Sequence, residues 1–500
     1  MKNKLKKGLV ISLSLTIVSS FLGFVVNKVF VSSLGIENLG LIKLFNQVVF
    51  YLAILDMGLA TAATVALYKP LSINDNRKVS IVFNTISIFY RKISIYVIIL
   101  GILLTPSVVW LVNSSDYYYV SFYWILNVLI ASLNYSLSKY SILFLADQKF
   151  VFVKLVTLGS LVIEKSVQVL VLMIFKSLTL YISISFLGFL LKYFLFRSEL
   201  KKSYNLVSCT ELDKSLKTST SQLVFHKLSH IIIYNSDLVI ISKFLSLSVV
   251  GVYSSYLMLS NLIVTIMGIV HSLLDPVLGK IVVEKEVFYN EKLFFSMLKL
   301  SLFLSGFVFC VLYSFGNDFV TLWLGKDFLL EDLSLFLISL VVCVEIVKWP
   351  IEVYKYKYGY FKDIYSPIIE VSLNLIISLT LVSNIGLNGV ILGTIISGVI
   401  VSFFIKPYLL FKYCFNRSFF SYFSSFVVDS ALCFFISSFI VFYLPSVWGP
   451  ISSSTWGSFL ISIISSALLM CSLFVFVYLI FPKNRQSYVT FLNFLRENNR

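Results

Sequence analysis

The sequence predicts an all-α polytopic membrane protein with 14 transmembrane helices, arranged as two pseudo-symmetric six-helix lobes followed by helices 13 and 14. Composition is the first observation behind this reading. Of 500 residues, 58% are hydrophobic and 13% are charged. A soluble domain averages about 45–50% apolar and about 25% charged. The mean hydropathy is +0.93, which excludes a soluble single-core enzyme. Scarce Gly (21) and Pro (9) exclude disordered and fibrous classes. Second, the apolar residues fall in runs of the roughly 20 residues needed to cross a bilayer. Third, Lys and Arg collect between alternate runs.

The runs place span 1 at Gly8 to Val31, span 2 at Leu41 to Tyr68, span 3 at Ile93 to Leu111 and span 4 at Tyr119 to Leu145. Span 5 is Val153 to Phe175 and span 6 is Leu178 to Phe196. After a polar loop come span 7 at Leu223 to Ile241, span 8 at Val249 to Leu273 and span 9 at Leu293 to Phe315. Span 10 is Leu333 to Trp349, span 11 Ile364 to Leu381 and span 12 Gly389 to Phe411. Spans 13 and 14 are Phe419 to Leu444 and Phe459 to Phe481. The N-terminal MKNKLKK followed by an apolar run imitates a signal peptide, but the run is long and lacks a clear cleavage site, so it reads as an uncleaved first span.

With the N-terminus inside, cytoplasmic segments hold 29 of the 40 Lys and Arg residues when Lys154 and Lys406, toward the inner ends of spans 5 and 12, are counted with the adjoining loops; the outer side holds only Lys43, at the outer end of span 2, and Lys176, Lys243 and Lys326. This bias supports an even number of spans with both termini in the cytoplasm. The net charge of +16 therefore reports topology, not nucleic-acid binding. The six cysteines (Cys209, Cys310, Cys343, Cys414, Cys433, Cys471) form no CxxC pair and read as structural thiols.

The two halves echo one another. Gly40 and Gly251, Trp110 and Trp323, and Lys149 and Lys362 repeat at offsets of 211 to 213 residues. An even-numbered repeat keeps its orientation, so the halves would be related by an axis along the membrane normal. The expected organisation is an N-lobe (1–200), a C-lobe with its preceding loop (201–415) and a terminal region of two helices and a basic tail (416–500).

Polar residues inside the spans nominate the functional interior. A charge at the bilayer centre costs about 2.5–3.5 kcal/mol on insertion scales and usually faces protein or a wet cavity. Ser12, Thr16, Ser20, Gly23 and Asn27 share one face of span 1, and His226, His230, Tyr234 and Asp237 share one face of span 7. Small-residue helix packing explains the first stripe well and the second poorly. The HxxxH pair has zinc spacing, yet with no HExxH motif a satisfied interior histidine is the stronger reading and no cofactor or metal is expected.

Other charges within spans are Asp56, Glu164, Lys165, Lys192, Lys227, Lys299, Glu345, Lys348, Glu370 and Asp429. Glu345 and Lys348 are spaced to pair as i, i+3. Lys192 and Lys227 lie near inner ends, where snorkelling to headgroups is the bland alternative. Together they suggest a basic-leaning interior. Lys28, Lys165, Lys192, Lys227 and Lys348 are its substrate-binding candidates. Asp56, Glu164, His230, Asp237 and Glu370 are candidates for proton or ion coupling. A cationic cavity suits an anionic substrate such as a lipid diphosphate carrying sugars, whose polar head cannot cross hydrocarbon unaided.

Four stretches resemble a known family: VSSLGIENLGLIKLFNQVVFYLAILDMGLATA (31–62), NSDLVIISKFLSLSVVGVYSSYLML (235–259), GNDFVTLWLGKDF (316–328) and YGYFKDIYSPIIEVSLNLIISLTLVSNIGLNGVILGTIIS (358–397). They are similar to Wzx-like polysaccharide (O-antigen or capsule repeat-unit) flippases of the MATE-like multidrug/oligosaccharidyl-lipid/polysaccharide exporter superfamily. The resemblance implies two six-helix bundles plus two helices and outward transfer of undecaprenyl-diphosphate-linked oligosaccharide in a bacterial plasma membrane. It also implies working alongside the membrane lipids, a polysaccharide polymerase and a chain-length regulator. Asp237 matches an acidic residue early in the seventh helix. Gly40, Gly251, Gly325, Gly359, Gly386 and Gly393 match recurring glycines read as turn or close-packing positions. Two rivals stay open: a MATE-type drug or cation antiporter, which would favour an acidic or aromatic cavity, and a membrane polysaccharide polymerase or ligase, which would carry one large outside loop.

Overall fold

The structure, a computed structural model, describes residues 2–52, 59–112, 116–207, 211–212, 236–360, 363, 365–448, 455–480 and 489–490. Its elements are helices: α1 (Lys2–Leu34), α2 (Ile36–Leu52), α3 (Leu59–Ser72), α4 (Asn76–Leu103), α5 (Thr105–Val112), α6 (Tyr117–Ala146), α7 (Phe150–Phe175), α8 (Leu178–Ser203) and α9 (Asp237–Phe244). They continue as α10 (Leu247–Glu284), α11 (Val287–Trp323), α12 (Asp332–Val347), α13 (Trp349–Lys357), α14 (Tyr365–Ile385), α15 (Leu387–Ile400), α16 (Lys406–Leu410), α17 (Phe419–Trp448) and α18 (Trp456–Ile480). Helices are the expected solution in lipid, where each backbone polar group must be satisfied within its own segment.

Among the described residues, 12 helical stretches are long and apolar enough to cross a membrane. They correspond to twelve of the fourteen expected spans. The other two, spans 2 and 7, lie partly outside the described residues. The chain is therefore a multi-pass, all-helical membrane protein.

The helix ends follow local chemistry. Asp75 caps α4, its carboxylate accepting the Lys78 amide at 3.0 Å, and Asp116 caps α6 through the Tyr119 amide at 2.9 Å, a usual role for Asp before a first turn. Gly386, at φ +56°, supplies the left-handed joint between α14 and α15, a conformation open to glycine at little cost.

Two compact units divide the chain, Met1–Gly251 and Val252–Arg500. In the first, α7 packs on α1 and α8, and α6 packs on α3, α4 and α8. Trp124 is wholly buried and donates its indole N–H to the Gly101 carbonyl at 2.8 Å, so α4 and α6 are joined by a polar bond inside an apolar contact. Phe144 and Phe196 stack near the ends of α6 and α8, with Phe152 edge-on to both. In the second unit, α11 contacts α12, α17 and α18, and α15 contacts α12 and α14. Its aromatic centre is Phe294, ringed by Tyr354, Phe411 and Phe415 at 5.5–5.6 Å. Outward faces stay greasy: Leu170, Met173, Ile174 and Phe175 on α7 and Ile461, Leu468 and Phe476 on α18 are exposed, as a lipid-facing surface requires.

Three charge placements correct the sequence reading. Arg91 and Lys92, expected in the loop before span 3, lie within α4, which begins at Asn76. Lys43, expected outside, lies within α2. Lys406, counted with the loop after span 12, is buried at 7% exposure. Hydropathy windows end a span at its first charges; the helical hydrogen-bond ladder continues through them.

Candidate functional site

Two polar clusters interrupt the apolar interiors, one in each unit. The first is built on α7 and α8. Ser185, Gly188 and Lys192 follow i, i+3, i+7 and so share one face of α8. Glu164 of α7 fills the space above Gly188: a Cβ built there would stand 2.1 Å from Glu164 Oε2. The Glu164 carboxylate meets the Ser185 hydroxyl and lies within electrostatic reach of Lys165 and Lys192. One turn along α7, Gln168 donates its amide to the Tyr181 carbonyl and to Ser185 Oγ, both at 3.3 Å. Lys192 donates to Asn134 Oδ1 of α6 at 2.6 Å, so its head is held by protein instead of snorkelling. Lys43 of α2 lies in the field of Lys165. Lys165 and Lys192 thus face one glutamate, with Lys43 beside Lys165, so lysines outnumber carboxylates among these groups.

The second cluster lies at the joint of α12 and α13 and along α14 and α16. Lys348 donates to Glu345 at 2.5 Å, the expected i, i+3 pair. Lys406 donates to Glu352 at 2.7 Å and stands 3.8 Å from Glu370. Lys355 pairs with Asp363, both buried. Elsewhere in the unit Lys299 pairs with Asp429 at 3.7 Å. Lys406 sits between two π-helical turns, Val401–Ile405 and Phe411–Phe415. Such turns re-aim side chains and recur at functional positions. Here the basic residues are matched by carboxylates, as buried charges must be.

Of the sequence-nominated residues, the structure brings Glu164, Lys165 and Lys192 together in one unit, and Lys348 and Glu370 together in the other. Lys28 is exposed on α1 beside the buried Asn27. Asp237 opens α9 within the field of the Tyr51 phenol. Asp56, Lys227 and His230 lie outside the described residues, as do His226 and Tyr234. Among the described residues no group of three or more His, Cys, Asp or Glu is placed to hold a metal. Sequence reasoning missed Lys43, Asn134, Gln168 and Ser185 in the first cluster and Glu352, Lys355, Asp363 and Lys406 in the second. The Ser185, Gly188, Lys192 spacing was the readable signal for the first; Lys406 inside an otherwise apolar run was the signal for the second.

The second unit also has a half-open, almost wholly apolar hollow of about 350 Å³, lined by Leu302, Phe309, Val347, Phe403 and Phe426 among others. It is chemically suited to hydrocarbon.

No protein-family profile matches the chain, and no curated protein matches it in sequence. Solved structures do. One is "Lipid II flippase MurJ, inward closed conformation", with TM-score 0.65 at 16% identity, covering 94% of this chain and 99% of that one. Another is an inward-facing multidrug resistance MATE family transporter of the MOP superfamily, with TM-score 0.64 at 14% identity over 79% of this chain and 96% of that one. The MATE multidrug transporter DinF-BH gives 0.60 at 15% identity, over 81% and 95%. At such identities what is shared is architecture: the chain has the polytopic helical fold of MATE and MurJ transporters.

Proposed function

We propose that this chain is a flippase that carries an undecaprenyl-diphosphate-linked oligosaccharide repeat unit from the cytoplasmic to the outer leaflet of a bacterial plasma membrane, for O-antigen, capsule or exopolysaccharide assembly. The observation that carries this reading is the lysine excess on α7 and α8: Lys165 and Lys192 against the single carboxylate of Glu164, with Lys43 beside Lys165. An interior cluster with net positive charge attracts a diphosphate and repels the organic cations that a drug antiporter exports. The fold likeness to a lipid II flippase and to MATE transporters supports transport by alternating access between an N-lobe (1–200) and a C-lobe (201–415), with helices 13 and 14 and the basic tail (416–500) appended. The substrate-binding candidates on this reading are Lys28, Lys165, Lys192, Lys227 and Lys348, each taken within its own unit; Asp56, Glu164, His230, Asp237 and Glu370 are the coupling candidates. Both termini are cytoplasmic on this reading, and the polymerase and chain-length regulator receive the product.

With the inside negative, moving two negative charges outward gains about 5 kcal/mol at 100 mV if the carrier's own charge movement is neutral, so voltage alone suffices as a drive. The decisive experiment is deletion in the native host. Loss of a polymerase still permits export of single repeat units, whereas loss of this chain should abolish surface saccharide and accumulate the lipid-linked unit inside. Export of single units by the deletion strain would refute the reading. Resistance to cationic drugs, gained on expression in a sensitive host, would favour the antiporter instead.

A further inference from the structure

A second basic feature of the first unit is separate from the Glu164 cluster. A cavity of about 450 Å³ opens between α4 and α6, lined by Asn84, Ser87, Arg91 and Ser94 on α4 and by Ser136 and Lys139 on α6, with Ile88, Ile95 and Ile98 completing the α4 wall. The α4 positions follow helical spacing, so a single face of that helix makes most of the site. Its walls are braced: Ser94 Oγ donates to the Ser132 carbonyl at 2.9 Å and Ser132 Oγ returns a bond to the Ser94 carbonyl at 2.8 Å. The hydroxyls of Ser87 and Ser136 are bonded to carbonyls of their own helices and place no negative charge in the cavity. Arg197 of α8 adds its field to that of Lys139. Among the described residues, no carboxylate stands within 4.0 Å of Arg91, Lys139 or Arg197. In the second unit, by contrast, Lys299, Lys348, Lys355 and Lys406 each have one.

Depth supplies the second argument. At 1.5 Å per residue, Lys139 lies about 33 Å along α6 from Tyr117, its first residue, and Arg91 lines the same cavity from α4. Arg197 lies about 29 Å from Leu178, the start of α8, by the same rise. A hydrocarbon core is about 30 Å thick. Three cations on three helices therefore reach one level, that of the phosphates in the leaflet opposite the α5–α6 turn. On the hydrocarbon side of Arg91 the α4 wall carries Ser94, Ile95 and Ile98, and on the other side it carries Ile88, Ser87 and Asn84. The wall thus ends on Ile98 toward the hydrocarbon and on Asn84 beyond the charges, which offers apolar contact to a chain on one side and polar contact to a headgroup on the other.

We infer that the α4–α6 cavity is a binding site for the phosphate-bearing headgroup of a lipid in the cytoplasmic leaflet, held by Arg91 and Lys139. The inference uses the orientation proposed above but not the saccharide substrate. The headgroup phosphate is common to two sources, an anionic phospholipid and the polyprenyl diphosphate of the transported unit.

The test is native mass spectrometry of the purified full chain with added phosphatidylglycerol, undecaprenyl diphosphate, phosphatidylcholine or inorganic phosphate. The variants are R91Q/K139Q, the charge-keeping R91K/K139R and, as a surface control, K201Q/K202Q at the exposed end of α8. Adducts of an anionic lipid should fall at least tenfold in R91Q/K139Q and stay within threefold of the parent in the other two. Preference for phosphatidylglycerol assigns the site to bulk lipid, and preference for undecaprenyl diphosphate assigns it to the transported molecule; either result supports the site. Equal lipid binding by R91Q/K139Q and the parent, or inorganic phosphate displacing lipid at equal concentration, would overturn it. A R91Q/K139Q protein that fails to fold is read through R91Q and K139Q singly, each expected to lose at least threefold. Failure of the export reading leaves these outcomes unchanged, so the two claims fail separately.

Discussion

Gly40 and Gly251, 211 residues apart, meet where the first turns of α2 and α10 cross. A Cβ on Gly40 would stand 2.0 Å from the Leu247 carbonyl oxygen and 3.0 Å from the Gly251 nitrogen; one on Gly251 would stand 2.5 Å from the Ile36 carbonyl oxygen. Backbone touches backbone, and Ser248 donates to Glu37 across the same crossing at 3.2 Å. Residues first noticed as a repeated landmark are thus also each other's neighbours.

This crossing should tolerate no side chain. G40A and G251A are each expected to destabilise the protein by about 1–3 kcal/mol, the usual range for overpacking, seen as a lower unfolding midpoint in detergent. Gly268, within α10, has nothing within 4 Å of its would-be Cβ, so G268A should be neutral or slightly stabilising by the helix preference for Ala. The two damaging changes share contacts, so the double variant should lose less than the sum.

Removing Lys406 alone should be more harmful than removing Lys406 together with Glu352. K406A leaves the half-buried Glu352 and the buried Glu370 without their nearest ammonium, and breaking a buried pair from one side costs about 3–5 kcal/mol. K406M/E352Q removes the closer pair as a unit, leaving only Glu370 without its partner, and should recover part of the lost stability. Thermal unfolding of the three proteins in one detergent decides it; equal loss in both variants would show that the pair is not the source.

Lys243 lies 3.7 Å above the Trp110 ring and donates to the Trp110 carbonyl at 3.0 Å. The contact ties α9 to α5. A double-mutant cycle over K243M and W110L should give a coupling of about 0.5–2 kcal/mol, the range for cation–π contacts from exposed to desolvated settings. Trp110 is 62% exposed, which places the expected value in the lower half.

The order of the helices was legible because hydrophobic length is a one-dimensional property. Twelve spans emerge in the expected order; α6 (Tyr117–Ala146) departs from its expectation by two residues at one end and one at the other, whereas α4 begins at Asn76, well before the expected Ile93. The pairing of charges was not legible in the same way. Glu345 and Lys348 could be matched by helical spacing alone. Lys406 with Glu352, 54 residues away, could not, because only packing brings α13 and α16 together. Arg91 was misplaced for a related reason: a charge inside a long helix at the membrane boundary looks, in sequence, identical to a loop charge.

Glu164 is the carboxylate to test for coupling, since it faces Ser185 and Lys192 from within the cationic cluster. In proteoliposomes carrying a labelled undecaprenyl-diphosphate oligosaccharide, a potassium diffusion potential and a pH jump can be imposed separately. K192Q removes a positive charge and its bond to Asn134, so it should slow transport at least tenfold under either drive, while K192R, which keeps the charge, should recover most of the rate. E164Q keeps the shape and the hydrogen bond to Ser185 but cannot exchange a proton. It should retain transport driven by voltage, worth about 2.3 kcal/mol per charge per 100 mV, and lose any acceleration by the pH gradient. A pH response that persists undiminished in E164Q would move the coupling role away from this residue.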